Sequence, residues 1–395
     1  MSHNDLDHYR SLYLKELTDS VIPFWEKHCP DHVNGGYFTC LDRDGSVYDT
    51  EKFMWMQWRI VWMFSELYVK LEQRPEWLRL AKSGYDFLTK HGRDSQGRYY
   101  FSLTADGRPT SAAHSVFSEC FAVMGAAAYY RASGNVDARR EAVLAFDAYL
   151  SREHAPKGEF SKDLGGKPAM KSLGFYMMKI NLFAVLEDSL DDLTYREETQ
   201  ATYTAVLDQF WNPALKVIFE NVPVDGGFDL SSMAGRHLNP GHAIEAMWFV
   251  MNLAHRMGDT DAVRRAADIV LAELEYGWDK EFGGIYYFMD ALGKPHVELQ
   301  WNMKLWWVHN EALIACAMGY KLTGDTRFKK CFDRVHDWSW SRFPDHEFGE
   351  WYGYLDRHGD VTHQLKGGKW KGFFHLPRML LVCTEILTPD WEARV

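Results

Sequence analysis

Two histidines, His242 and His375, offer the most definite chemistry in the sequence. Each stands at the head of an apolar, helix-patterned segment, and His375 follows a glycine-, lysine- and tryptophan-bearing loop, Gly367 to Phe374. Imidazole changes charge near neutral pH, so two of them on opposite sides of a bound carbon can take a proton from one face and return one to the other. Arg59 lies among Trp55, Met56, Trp58 and Trp62. A bare cation there is costly unless it faces a polar cavity or a partner, and in a cavity it can hold an enolate or enediolate oxygen. Glu119, Glu245 and one of His309 or Glu311 complete the polar set. His242 and Glu245 share a helix face at a spacing of three. Lys304, Trp307 and Glu311 share another, whereas His309 and Glu311 are two apart and point away from each other. Trp301, Trp306, Trp307 and Trp370 have the shape to stack on a sugar ring. Glu245, Lys304, Trp307, Trp370 and Arg378 are the candidate substrate-binding positions. The set lacks the Asp/Glu pair of a glycosidase, a Ser-His-Asp order with its GxSxG elbow, and a clustered metal motif, so no metal is expected.

These positions recur with the chain's own period. Arg59, Glu119, Met178, His242, Glu311 and His375 follow one another at steps of 60, 59, 64, 69 and 64 residues. The unit behind the period is an aromatic β-type segment, a glycine turn, a long apolar helix and a second helix. Gly36, Gly97, Gly158, Gly227, Gly284 and Gly349 mark its six copies, and Asp-Gly or x-Gly turns after alternating aromatics read as hairpins. Asp259 and Asp325 each follow a glycine and read as caps of outer helices. Repeats of this size cannot bury their faces alone and must stack. The inner segments (55–68, 115–130, 173–186, 241–253, 303–320 and 374–387) are apolar nearly all round, which suits helices covered on both sides of a closed ring better than an open solenoid. The expected fold is all-α: one (α/α)6 barrel over residues 1–395, six helical hairpins in a toroid, with short β-hairpins at the site face.

A net charge of −11, from 44 basic and 55 acidic residues, argues against a nucleic-acid partner. The six cysteines are scattered, the first residues are charged and amphipathic, and no apolar run reaches membrane-spanning length; these point to a cytoplasmic protein without a membrane partner.

The segments GGYFTCLDRDGSVYDTEKFMWMQWR, KHGRDSQGRYYF, NPGHAIEAMWF, EFGGIYYFMDALGKP, KLWWVHNEAL and LKGGKWKGFFHLPR resemble the N-acylglucosamine 2-epimerase (renin-binding protein) family over nearly the whole chain. The resemblance implies an (α/α)6 barrel that interconverts N-acetylglucosamine and N-acetylmannosamine by inverting the carbon next to the aldehyde, through an enediolate. It implies Arg59, His242, Glu311 and His375 as the essential residues, and so selects Glu311 over His309. Cellobiose 2-epimerases and mannose isomerases, which are similar in barrel and histidines, typically carry another histidine on the third inner helix. Here that helix reads SLGFYMMKINLFAVLE, with Met177 and Met178, which favours the N-acyl-sugar branch. The resemblance further implies a homodimer and ATP as an activator that is not consumed. No Walker A order is present, and a loop bearing Lys157, Lys162, Lys167 and Lys171 is the candidate nucleotide site. The alternatives are an epimerase or aldose–ketose isomerase of unmodified sugars, and a non-catalytic helical-repeat scaffold.

Overall fold

The structure, a computed structural model, describes residues 3–161 and 166–391. Among these, thirteen α-helices follow in order. They are α1 (His3–Glu16), α2 (Ile22–His28), α3 (Met54–Glu66), α4 (Pro75–His91), α5 (Phe117–Ser133), α6 (Val136–Ser151), α7 (Leu173–Leu190), α8 (Arg196–Ala205), α9 (Pro240–Arg256), α10 (Thr260–Gly277), α11 (Trp306–Thr323), α12 (Thr326–Trp340) and α13 (His375–Ile386). The apolar segments form an inner ring, α3, α5, α7, α9, α11 and α13, each packed on the next. Every residue of α3 from Met56 to Glu66 is buried, as expected for a helix covered on both sides. The amphipathic helices α4, α6, α8, α10 and α12 lie outside, each against its preceding inner helix. This is the (α/α)6 barrel.

The sixth outer position is filled from the start of the chain. Helix α1 packs on α13, and its Tyr13 stacks on Trp340 of α12 at 4.5 Å while its hydroxyl meets His336 Nδ1 at 2.9 Å. The ring closes between α13 and α3 through Trp62 on Phe374 (5.3 Å), Phe64 on Phe373 (5.1 Å) and Lys70 with Glu385 (3.2 Å). Asp259 and Asp325 cap α10 and α12 by accepting from Ala262 and Arg327 N–H groups.

The short strands depart from the expected hairpins. Cys40–Leu41 with Val47–Asp49, and Ser102–Leu103 with Pro109–Ser111, do pair within their units. Most others stitch one unit to the next: Lys52–Phe53 to Ser102–Leu103, Met170–Ser172 to Asn221–Pro223, His237–Leu238 to Met289–Asp290, and Lys304–Leu305 to Tyr354–Leu355. Buried ion pairs lock three of the turns: Asp31 with Lys52, Asp279 with Lys304, and Asp345 with Lys366. Each aspartate also accepts N–H groups two and three residues on, and so shapes the turn it anchors. Glycine is required at Gly36, where φ is +70° and a Cβ would sit 2.9 Å from Gln57 Oε1, and at Gly284, where φ is +75° and Trp338 would be 2.7 Å away.

Candidate active site

The strands and the first turns of all six inner helices surround a cavity of about 550 Å³. One wall is apolar and comes from α5 and α7: Phe117, Phe121, Gly174, Met177 and Met178. The opposite wall carries His242 and Glu245 of α9, Trp307 of α11, and His375 and Arg378 of α13, with Arg59 of α3 between. Trp370, 55% exposed, stands at the mouth edge-on to Trp55.

Asn239 and Pro240 fix where α9 starts. Asn239 accepts the His242 N–H (3.2 Å) as N-cap and proline occupies the first turn, which sets His242 at the rim of the cavity. The His242 Nδ1 lies 3.0 and 3.1 Å from the two oxygens of Glu220. Burial acts to lower the His242 pKa, but Glu220 outweighs it and holds the imidazole above its ordinary value. His375, the first residue of α13, is buried, with Nδ1 2.8 Å from Glu311 Oε1. Burial, then Arg378 and Arg59, push its pKa well below the ordinary value. The Trp307 ring stands between the imidazoles, 5.4 Å from His242 and 5.7 Å from His375. With both Nδ1 atoms taken by carboxylates, Nε2 is the ring nitrogen left for chemistry on each.

Glu311 is fully buried behind His375 rather than on the cavity wall. It receives Arg378 Nη2 at 2.6 Å and Trp248 Nε1 at 3.0 Å, and Arg378 also reaches Glu245 at 2.7 Å. Glu245, Glu311 and His375 place ligand-type atoms within 4.8 Å of one another, the one such group among the described residues. The guanidinium of Arg378 already lies against both carboxylates, so an ion-pair network fills the position a cation would take.

Arg59 is buried, and among the described residues no carboxylate pairs with it. Its guanidinium lies over Phe121 (3.9 Å), Phe374 (4.9 Å) and Trp55 (5.2 Å), and its Nε has no partner. Burial and Arg378 lower its pKa to about 9, which leaves it a cation at neutral pH. Among the described residues its Nη1 donates only to the weak acceptor Met56 Sδ at 3.5 Å, and a desolvated cation at a cavity wall can receive an oxyanion.

The structure thus brings Arg59, His242, Glu245, Trp307, Trp370, His375 and Arg378 together, with Glu311 one layer behind. It removes Lys304. That side chain is 0% exposed, outside the cavity, and held by Asp279 (3.1 Å), because residues 304–305 are a strand and α11 begins only at Trp306. Trp301 is likewise absent from the wall and stacks on Tyr286 (5.7 Å). Glu119 and His309 face the outer layer, where they accept the Tyr99 and Ile285 N–H groups as Gln57 accepts that of Tyr37. In the candidate nucleotide loop Lys157 and Lys167 are exposed, Lys171 donates to Gln209, and Lys162 lies outside the described residues. Glu220, Tyr287, Gln300 and Tyr354 were not among the sequence candidates. The one signal for Glu220 is an acidic residue in a segment (Ile218 to Asn221) whose counterparts are aromatic.

Comparison with known proteins places the chain. N-acylglucosamine 2-epimerase of Bos taurus is 41% identical over 377 residues, spanning 93% of this chain and 89% of that protein. Cellobiose 2-epimerase of Ruminococcus albus is 26% identical over 399 residues, spanning 95% and 97%. A solved cellobiose 2-epimerase from Bacillus thermoamylovorans superposes with a TM-score of 0.81 over 96% of this chain and 99% of that one, at 22% identity, a likeness of fold. The protein is an isomerase of the epimerase class. Residues 36–378 match the N-acylglucosamine 2-epimerase family, and the chain belongs to it. No helix among the described residues is long and apolar enough to cross a membrane.

Proposed function

We propose that the protein interconverts N-acetylglucosamine and N-acetylmannosamine, with His242 and His375 as the two acid/bases and Arg59 as the holder of the intermediate's oxygen. The observation that carries this reading is the pair of imidazoles, each tied by Nδ1 to a carboxylate, on one cavity with a cation that has no carboxylate of its own among the described residues. The open-chain sugar lies with C2 between the two Nε2 atoms. One histidine takes the C2 proton, the electrons move toward the C1 oxygen beside Arg59, and the other histidine returns a proton to the opposite face. Glu311 acts through His375 by fixing its tautomer and tilt, and Arg378 and Glu245 hold Glu311 in turn. The apolar wall of Phe117, Phe121, Met177 and Met178 offers no hydrogen-bond partner to a bare hydroxyl and suits an acyl methyl. The higher identity to the bovine N-acylglucosamine 2-epimerase supports the N-acyl substrate over an unmodified one. ATP as an activator, a homodimer and a cytoplasmic location belong to the same reading and come from the family resemblance and the composition.

The test is proton NMR of N-acetylmannosamine with the enzyme in D₂O, with and without ATP. Deuterium at C2 of emerging N-acetylglucosamine supports the reading, and an ATP-dependent rate supports activation. Deuterium at C1 of a ketose would show an aldose–ketose isomerase. No exchange with this sugar, mannose, glucose or cellobiose would leave the scaffold alternative.

A further inference from the structure

We propose that Glu220 is a positioning residue that loads His242 with a proton while His375 rests as the free base, so that the free enzyme is set in one sense before substrate arrives. The inference rests on the two-histidine reading above. The two imidazoles are held by the same atom and balanced by different surroundings. Glu220 has His242 as its ion-pair partner among the described residues, and both its oxygens lie at hydrogen-bond distance from Nδ1. Glu311 is shared: the oxygen that meets His375 at 2.8 Å also meets Arg378 at 2.6 Å, and the other accepts from Trp248. The negative charge that Glu311 offers its histidine is therefore already answered by a guanidinium.

The groups facing His242 are Glu220 from the segment before α9, His237 from the strand that leads into it, Glu245 on its own helix, Glu311 on α11 and His375 on α13. Those facing His375 are Glu311, Arg378, Arg59, Glu245 and His242. Carboxylates dominate the first set, while two cations offset them in the second. The directions agree: His242 is held above its ordinary pKa by Glu220 against the effect of burial, and His375 is pushed below by burial and the two arginines.

In the loaded state the C2–H bond breaks toward His375 Nε2, and its electron pair enters the enediolate. That pair then forms the new C2–H bond with the proton on His242 Nε2 at the opposite face. His375 is left as imidazolium and His242 as neutral imidazole. Water accepts a proton from the first and supplies one to the second, which restores the starting state.

The test is kcat/KM against pH in both directions for the wild type and Glu220→Gln. In the wild type a bell is expected, with the acid limb set by His375 and the alkaline limb by His242. Glu220→Gln keeps a polar amide at the site and removes the charge. Its kcat/KM at pH 8 should fall about 100-fold, with the alkaline limb displaced to lower pH and the acid limb in place. Glu220→Asp, which restores the charge, should move the limb back, and carries the test if the glutamine variant does not fold. An alkaline limb that stays in place in Glu220→Gln overturns the assignment. Wild-type protein that exchanges no C2 proton sinks the epimerase reading itself, so the two failures are separable.

Discussion

Replacing Arg59 with methionine should slow the enzyme and stabilise the fold at once. A guanidinium whose pKa is lowered from 12.5 to about 9 carries an unfavourable burial free energy on the order of 5 kcal/mol. The three aromatic faces at 3.9, 4.9 and 5.2 Å return about 1 kcal/mol each. The remainder, roughly 2 kcal/mol, is a strain the folded state keeps because among the described residues no carboxylate pairs directly with the cation. Methionine fills similar apolar volume without the charge, so Arg59→Met should recover that remainder. Unfolding entropy scales with length, so in 395 residues each kcal/mol raises Tm by roughly 1 °C, and a rise of about 2 °C is expected by scanning calorimetry. The enediolate oxygen loses its donor in the same variant, and kcat should drop 100- to 1,000-fold, about 3–4 kcal/mol. KM should change little, because the interaction is made to the intermediate. A variant within tenfold of wild-type kcat would refute Arg59 as the oxyanion holder. A lower Tm would refute the claim that its charge is uncompensated.

Lys304→Met should behave oppositely: it removes one of the two cations on the buried Asp279, leaving Arg357 at 2.9 Å, and costs about 1–3 kcal/mol in urea unfolding, yet the folded fraction keeps kcat and KM within threefold because the side chain never reaches the cavity. Glu273, a buried carboxyl pushed up to about 8, accepts among the described residues only the Ile218 N–H. Its folded pKa lies above the unfolded one, so the protein loses stability as pH rises from about 4.5 through 8; Glu273→Gln should remove that fall, a difference of about 4 kcal/mol by pH 8 in denaturant titrations. His296 accepts the Glu298 N–H at Nδ1 and so presents Nε2–H to His237 Nδ1 at 2.8 Å, which requires both rings neutral. Both are held below the ordinary histidine pKa, first by burial. Amide exchange across 291–303 should therefore quicken, beyond the intrinsic rate, as pH falls below about 6.5; His296→Ala should show the fast rate already at neutral pH, and equal protection in both would discard the link.

The toroid was legible because its signal is redundant: six copies of one apolar helix register survive any single irregular unit. The site was legible only to the resolution of that period. The inner helices start at 54, 117, 173, 240, 306 and 375, so their steps run from 56 to 69 residues because the intervening segments differ in length, and one residue of misalignment turns a side chain by about 100° on a helix. Glu119 was thereby grouped with Arg59, although its counterparts are Gln57 and His309 on the outward face. Lys304 was misplaced by extending α11 one turn too early. Glu220 escaped because its partner lies 22 residues on, a separation that no helix or strand period relates. The cross-unit strand pairs were hidden for the same reason: a two-residue strand has too little local pattern to name its partner.

The closing pair of the ring, α1 on α13, joins segments separated by some of the longest sequence distances in the protein. At ribosomal speeds of roughly 5–20 residues per second, α1 waits about 20–70 s for its partner to be made. Until then its buried face, with Tyr13, has no inner helix to cover it, and the five completed pairs form an open arc. Helix α13, the last of the thirteen among the described residues, also carries His375 and Arg378. Completion of the barrel and acquisition of its second imidazole are thus a single late event, and an arrested chain has neither.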